Sequence, residues 1–350
     1  MLKENKHTSS NPFRIAVIGA GPAGIAAAVS AAAMGVEVDW FDKEQRPGGK
    51  LNDYHQLFPD REFADQILKD FSGKTEAIEI KKHFGTIVSS IEKVDGNYNL
   101  LSNKGIKGSY NAVIIAAGFD FFDARLKEEY GYGMYDHVIT SPDLEKILKT
   151  GQEKLKCNGS FPEAMAFVHC VGSRDQQIGI NYCSRLCCIT GIKQAIEIRE
   201  LFPSCKVYNF YIDIRAFGSG YEELYRQAQE KYNVQFIRGR VSEASENQQK
   251  RIVLKAEDTL MSRPVKVTVD WLVLLVGMVP SCTMVDVENF SCTDQETGFY
   301  KQSNPLSGGG LSGQPGIFHA GACGGPMSIP EAVASGRSAA MEVWQYLIKR

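Results

Sequence analysis

IAVIGAGPAGIAAAVSAAAMGVEVDWFD, residues 15–42, changes its hydrophobic period twice. A β-type run from Phe13 to Ile18 enters GAGPAG, and an alanine-rich stretch from Ile25 to Met34 continues as a helix. Gly35 breaks that helix, and VEVDWFDKE alternates as a second strand ending in Asp42. Gly19, Gly21 and Gly24 occupy the glycine positions of G-x-G-x-x-G. The first permits a tight turn, the second lets a pyrophosphate approach the backbone, and the third lets helix and strand pack closely. The helix N-terminus then offers N–H groups and a partial positive charge to the phosphates. Asp42 follows about 20 residues on, where a carboxylate accepts hydrogen bonds from a ribose diol. A glycine pattern by itself marks any tight turn. Strand, helix, second strand and terminal acid together predict a dinucleotide-binding βαβ unit, and so an α/β fold.

The chain around this unit has 350 residues, enough for two domains. Its 43% hydrophobic and 23% charged residues are those of an ordinary soluble globular protein. A formal net charge of −2 gives no general basic excess for nucleic acid or an anionic membrane. The amino terminus, MLKENKHTSSNPF, lacks an apolar signal-peptide region, so residues 1–12 are expected to be a disordered tail. The apolar run after it is broken by glycines, which argues against membrane insertion. A cytoplasmic location is expected. There, nine cysteines serve as ligands, redox groups or small buried residues sooner than as a disulfide framework.

What surrounds the first loop favours FAD over NAD. RPGGKL (Arg46 to Leu51) is a second glycine-rich loop. Short strands follow in TIVSSIEKV, YNLLS and KGSYNA, and YNAVIIAAG ends a further strand at Gly118. Near the C-terminus, GIFHAGACGGPMSIPEAVASGRSAAMEV reads as strand, glycine turn and a helix from about Pro330. This arrangement resembles the flavoproteins with two dinucleotide-binding domains that include thioredoxin reductase. The resemblance implies two Rossmann-like domains, with an FAD domain at 13–140 and 278–350 split by an inserted domain at 141–277. The candidate FAD contacts are then Gly19, Gly21, Pro22, Ala23, Gly24, Asp42, Lys43, Gly49, Lys50, Leu51, Ala117, Gly118, Gly321, Ala322 and Ile329. Ala322 stands where that family usually has an acid for the flavin ribityl chain, so backbone N–H groups are expected to serve there instead.

The inserted region also reads as α/β: AMAFVHC a strand, SRLCCITGIKQAIEIRELF a helix, CKVYNFYIDI a strand, YEELYRQAQEKY a helix, VQFIRG a strand. Its first strand, however, runs into HCVGSRDQQ with a single glycine, Gly172, and no nucleotide loop. Gly218 and Gly220 read as a loop and helix cap. Cysteines occupy the place of a nicotinamide nucleotide: Cys170, Cys183, Cys187 and Cys188 follow C-x12-C-x3-C-C. Cys183 and Cys187 point the same way if both are helical, Cys188 is turned about 100° from Cys187, and Cys170 ends the preceding strand. A disulfide switch lacks C-x-x-C. Four-cysteine zinc lacks paired short knuckles. A [4Fe–4S] cluster takes four thiolates, with Arg174 and Arg185 near to offset its charge. Simple burial of small residues is the fourth reading, and spacing alone leaves these open.

HCVGSRD, NYCSRLCC followed by KQAIEIRELFP, and YIDIRAFGSGYEELYRQAQE closely resemble the core of the heterodisulfide reductase A subunits. The resemblance implies Cys170, Cys183, Cys187 and Cys188 as ligands of a [4Fe–4S] cluster near the FAD, with no catalytic side chain beyond the cofactors. The chain departs from the methanogen type: no ferredoxin-like cysteine runs occur, and Met327 and Ser328 replace a lysine-bearing stretch. It is similar instead to the short A subunits of sulfur-oxidising bacteria. That implies a non-bifurcating electron-transfer subunit of a heterodisulfide-reductase-like complex in cytoplasmic sulfur oxidation. The implied partners are a second copy of the chain, B- and C-type subunits and a lipoate-binding protein. A stand-alone NAD(P)H- or disulfide-dependent flavin reductase and a non-catalytic scaffold are the alternatives. Cys323, His169 and His319 are read as packing residues, and Cys157, Cys205, Cys282 and Cys292 as structural or surface positions.

Overall fold

The computed structural model describes residues 13–157, 159–288, 292–304, 306, 310 and 312–350, so the expected amino-terminal tail lies outside the described residues. The chain divides into two compact units. One holds the residues up to Gly49 with Lys69–Phe119 and Pro280–Arg350; the other holds Lys50–Leu68 and Asp120–Val279. The division thus differs from the sequence boundaries at 140/141: the second unit takes in Lys50–Leu68 and starts its main segment at Asp120.

In the first unit the described residues form a five-stranded parallel sheet. Its order is Ile317–His319, Ala112–Ile115, Arg14–Ile18, Glu37–Asp42 and Lys81–Phe84. Ile15–Ile18 and Ala112–Ile115 are buried along their whole length, as expected of parallel strands covered on both faces. The helix Pro22–Ala33 packs against the C-terminal helix Ile329–Ile348 through small residues. A Cβ at Gly336 would lie 2.2 Å from the Ala23 carbonyl oxygen. Alanine here serves close approach as well as helix propensity. A four-stranded sheet of Asp286–Val287, Val88–Val94, Asn97–Ser102 and Gly105–Tyr110 and most of the helix Ala64–Glu76 also belong to this unit.

The second unit repeats the parallel theme in the order Val138–Thr140, Trp271–Val276, Ala164–Val171, Lys206–Tyr211 and Gln235–Arg238. Its helices are Ser141–Thr150, Cys187–Leu201 and Tyr221–Glu230. An antiparallel meander, Val241–Glu246, Ile252–Asp258 and Arg263–Val269, covers one face and has no counterpart in the sequence reading. Among the described residues no helix is long and apolar enough to cross a membrane.

Candidate functional site

The first loop is built by packing at two of its glycines and left open at the third. Gly19 has φ 111°, and a Cβ there would lie 2.1 Å from the Ala116 carbonyl oxygen. Trp40 Nε1 donates to the Gly19 carbonyl at 2.9 Å, stitching the turn to the second strand. A Cβ at Gly24 would lie 1.9 Å from the Gly19 carbonyl oxygen. At Gly21, in extended backbone, a Cβ meets nothing within 4 Å among the described residues. The helix behind it starts at Pro22 with no side-chain cap and no acid in its first turn. An anion there meets N–H groups that no side chain has claimed.

The other candidate contacts of this unit gather at the same carboxyl ends of the strands. Asp42 accepts from the backbone N–H of Ala20 and, at 2.7 Å, from that of Glu44. Burial raises its carboxyl pKa, against the pull of those two bonds. Lys43 Nζ donates to Thr283 Oγ1 at 3.4 Å. A Cβ at Gly49 would lie 3.0 Å from Gly21 Cα, so the second glycine loop crosses the first at its open position. Ala117 and Gly118 follow the strand Ala112–Ile115. Gly321 has φ 75°, and a Cβ there would lie 2.4 Å from Ala23 Cβ. Its N–H donates to Ser335 Oγ at 3.1 Å, and the adjoining Ala322 is buried. Ile329 opens the C-terminal helix, capped reciprocally by Ser328 and Glu331. The open cradle and unclaimed helix terminus fit a dinucleotide.

Lys50 and Leu51 belong to the second unit. Lys50 Nζ lies 3.5 Å from Asp120 and 5.1 Å from the Phe121 ring centre, and Leu51 is buried. Cys323 is buried in the first unit, its Sγ 3.1 Å from the Ala320 carbonyl, and burial pushes its thiol up to about 11. His319 stacks on Tyr300 at 6.1 Å, and its buried Nε2 has no hydrogen-bond partner among the described residues.

The cysteine site lies wholly in the second unit. Val168 pairs with Leu274 and Val171 with Val276, so His169 and Cys170 share one step of the neighbouring strand. This bulge, with Cys170 at φ 61°, turns both side chains to one face. Cys170 packs with Cys187 and Cys188 in the same core cluster, whereas Val168 and Val171 point into another. His169 Nε2 pairs with Asn209 Oδ1 at 2.8 Å. The helix differs from its sequence reading: it starts at Cys187, and Cys183 stands on the preceding loop instead of one helical turn back. Ser184 Oγ is drawn to Ser173 Oγ at 2.6 Å and the Met278 N–H at 2.8 Å, and Arg185 takes φ 61°. A right-handed helix accommodates no such residue.

Three sulfurs therefore meet at a helix N-terminus whose cap, Leu186, makes no side-chain bond. Hydrogen bonding with Cys187 lowers the Cys188 thiol pKa, helped by His169 and opposed by burial. Hydrogen bonding with Cys187 likewise lowers Cys170. Cys187 is pushed up by its bonds to both neighbours and by burial. Cys183 Sγ accepts from the Arg185 N–H at 3.3 Å. The four cysteines form no disulfide. Among the described residues no three His, Cys, Asp or Glu side chains already form a metal-binding group. The donor set fits a thiolate-held group in its chemistry: two lowered thiols, a third in contact with both, and a fourth on the adjoining loop.

Two features of this unit escaped the sequence reading. Gly172 has φ 73°, and a Cβ there would lie 2.0 Å from the Phe122 ring, so this turn is filled where Gly21 is open. Farther along the helix, Lys193 is fully buried between Glu145 and Glu197, at 3.0 Å from the latter, and His55 Nδ1 lies 2.8 Å from Glu197. Lys193 and Glu197 are one helical turn apart, but Glu145 and His55 come from distant segments and give no local signal of such a cluster.

The family profile described as pyridine nucleotide-disulphide oxidoreductase matches residues 13–158. The chain is 40% identical over 245 residues to the iron-sulfur A subunit of CoB–CoM heterodisulfide reductase from Methanocaldococcus jannaschii, covering 68% of this chain and 37% of that one. It is 39% identical over 234 residues to the A subunit of the H2:CoB-CoM heterodisulfide,ferredoxin reductase from Methanothermobacter marburgensis, covering 65% and 36%. The matched part is thus little more than a third of these relatives' length. Among solved structures, thioredoxin reductase of T. acidophilum superposes with a TM-score of 0.68 at 19% identity, covering 97% of this chain and all of that one. That of Lactococcus lactis gives 0.68 at 18%, with the same coverage. These two likenesses establish the fold.

Proposed function

The chain is an oxidoreductase homologous to the heterodisulfide reductase A subunits over 68% of its length, and from that premise we propose an FAD- and [4Fe–4S]-containing electron-transfer subunit. Its first unit holds the FAD pyrophosphate over Gly21 and the N-terminus of Pro22–Ala33, with Asp42 toward the ribose. Its second unit holds the cluster through Cys170, Cys183, Cys187 and Cys188. Bound flavin supplies two-electron exchange and the cluster one-electron transfer. The side chains of this unit orient the sulfurs through the bulge at His169–Cys170, lower two thiols and offset their charge. The observation that carries the proposal is the meeting of Cys170, Cys187 and Cys188 at strand end and helix start, where a nucleotide loop would otherwise stand.

The proposed setting is a cytoplasmic heterodisulfide-reductase-like complex acting in sulfur oxidation, with this chain as a homodimer beside B- and C-type subunits and a lipoate-binding protein. The names of the relatives as subunits of reductase complexes support the need for partners. Anaerobically purified chain should carry FAD with about four irons and four acid-labile sulfides. Stoichiometric zinc without labile sulfide overturns the cluster assignment.

A further inference from the structure

The loop between Cys170 and Cys183 carries a cation whose hydrogen bonding is half complete. Arg174 takes a left-handed φ of 54°, a conformation that L side chains rarely adopt. Its backbone N–H donates to the carbonyl of Tyr182, the residue before Cys183, at 3.0 Å. Its neighbour Ser173 donates to the Cys170 carbonyl at 3.3 Å. Arg174 is thereby placed between the stretches that carry the strand sulfur and the loop sulfur. Arg240 Nη2 donates to its carbonyl at 2.7 Å, which holds the backbone from the other side.

The side chain is aimed as firmly. Nη2 donates to Asp213 Oδ2 at 2.7 Å. Nη1 is buried and has no hydrogen-bond partner among the described residues. Asp213, which anchors the guanidinium, itself lies at the cysteines: Cys188 Sγ is 3.5 Å from the Asp213 carbonyl oxygen. A buried N–H without an acceptor is costly, and an arginine anchored at one nitrogen with the other directed inward points to an anionic acceptor.

We propose that Arg174 is a positioning residue for the sulfur-ligated group, its Nη1 donating to a sulfur of that group and favouring its reduced form. Reduction adds one electron, and with it one negative charge, beside a fixed cation in a poorly screened site. This inference rests on the cluster reading above.

The test is an EPR-monitored redox titration of the full anaerobic chain and its Arg174→Gln, Arg174→Lys and Asp213→Asn variants, each first assayed for iron and labile sulfide. A wild-type chain without iron and sulfide overturns both readings. With the cluster present, Arg174→Gln should shift the reduced-to-oxidised ratio at fixed potential about tenfold toward oxidised, a midpoint lowered by about 59 mV for one electron. Arg174→Lys, which keeps the charge and loses the fork, should fall between, and is the variant read if Arg174→Gln loses iron. Asp213→Asn removes the anchor and keeps the cation, so its midpoint should not fall. Unchanged midpoints in the iron-replete Arg174 variants overturn the inference. So does a fall in Asp213→Asn equal to that of Arg174→Gln, which would assign Arg174 to holding the loop alone.

Discussion

Of the three glycines in the first loop, Gly19 and Gly24 face neighbouring backbone, whereas a Cβ at Gly21 meets nothing within 4 Å among the described residues. Their substitutions should therefore part company. Gly24→Ala drives a Cβ against the Gly19 carbonyl and should lower stability and flavin content together. Gly21→Val places its side chain in open space, so copurified FAD should be lost while the thermal midpoint matches that of the FAD-free wild-type chain. Flavin content measured beside calorimetry checks both. His319 gives a pH prediction. Burial pushes its imidazole down to about 4, whereas an unfolded histidine titrates near about 6.5. Between those values the unfolded chain binds a proton that the folded one refuses. The stability that neutral His319 contributes is thus intact above about pH 6.5 and lost as pH falls toward 4, by about 1.4 kcal/mol per unit. His319→Phe should flatten that part of a urea-denaturation profile.

At the scale of elements, the helix Cys187–Leu201 links cofactor chemistry to stability. Its first two residues are candidate ligands, and its middle is the buried Lys193 with Glu145 and Glu197. Removing one member of a buried ionic cluster leaves the rest uncompensated, at a cost of about 3–5 kcal/mol. Lys193→Met should lower the denaturation free energy by that amount. Adding Glu145→Gln and Glu197→Gln should recover most of it, and urea midpoints measure the difference. Helices and strands of this unit were legible where periodicity was strong, as in AMAFVHC and YEELYRQAQE. The start of Cys187–Leu201 was not, because Ser184 is diverted by bonds to Ser173 and Met278, 11 and 94 residues away, and Arg185 follows it at φ 61°. The meander from Val241 to Val269 was missed for another reason. Its first strand, Val241–Glu246, has too few apolar residues to show a stripe, although Ile252–Asp258 and Arg263–Val269 do alternate, burying Ile252, Leu254, Ala256 and Val269.

For the molecule as a whole, the contrast between two turns decides which nucleotide chemistry to expect. Gly21 lies open, whereas Gly172 is filled by Phe122. NADH or NADPH alone should then leave the flavin spectrum unchanged in anaerobic stopped flow, while dithionite bleaches it. Rapid bleaching by either nucleotide would make the chain a stand-alone reductase.

The sequence by itself determined the α/β class and the first βαβ unit, and put forward four neighbouring cysteines as candidate sulfur donors. Those features rest on residue type at short spacing: glycine where no Cβ fits, alternating apolar strands, thiols near one another in the chain. The tertiary structure decided which glycine is open, which sulfurs meet and where the units divide. A strand bulge reverses Cys170, a loop takes Cys183 off the helix, and Arg174 is aimed by Asp213. Each depends on partners many residues away. Local pattern carries propensity and period; contact between distant segments is what aims a side chain.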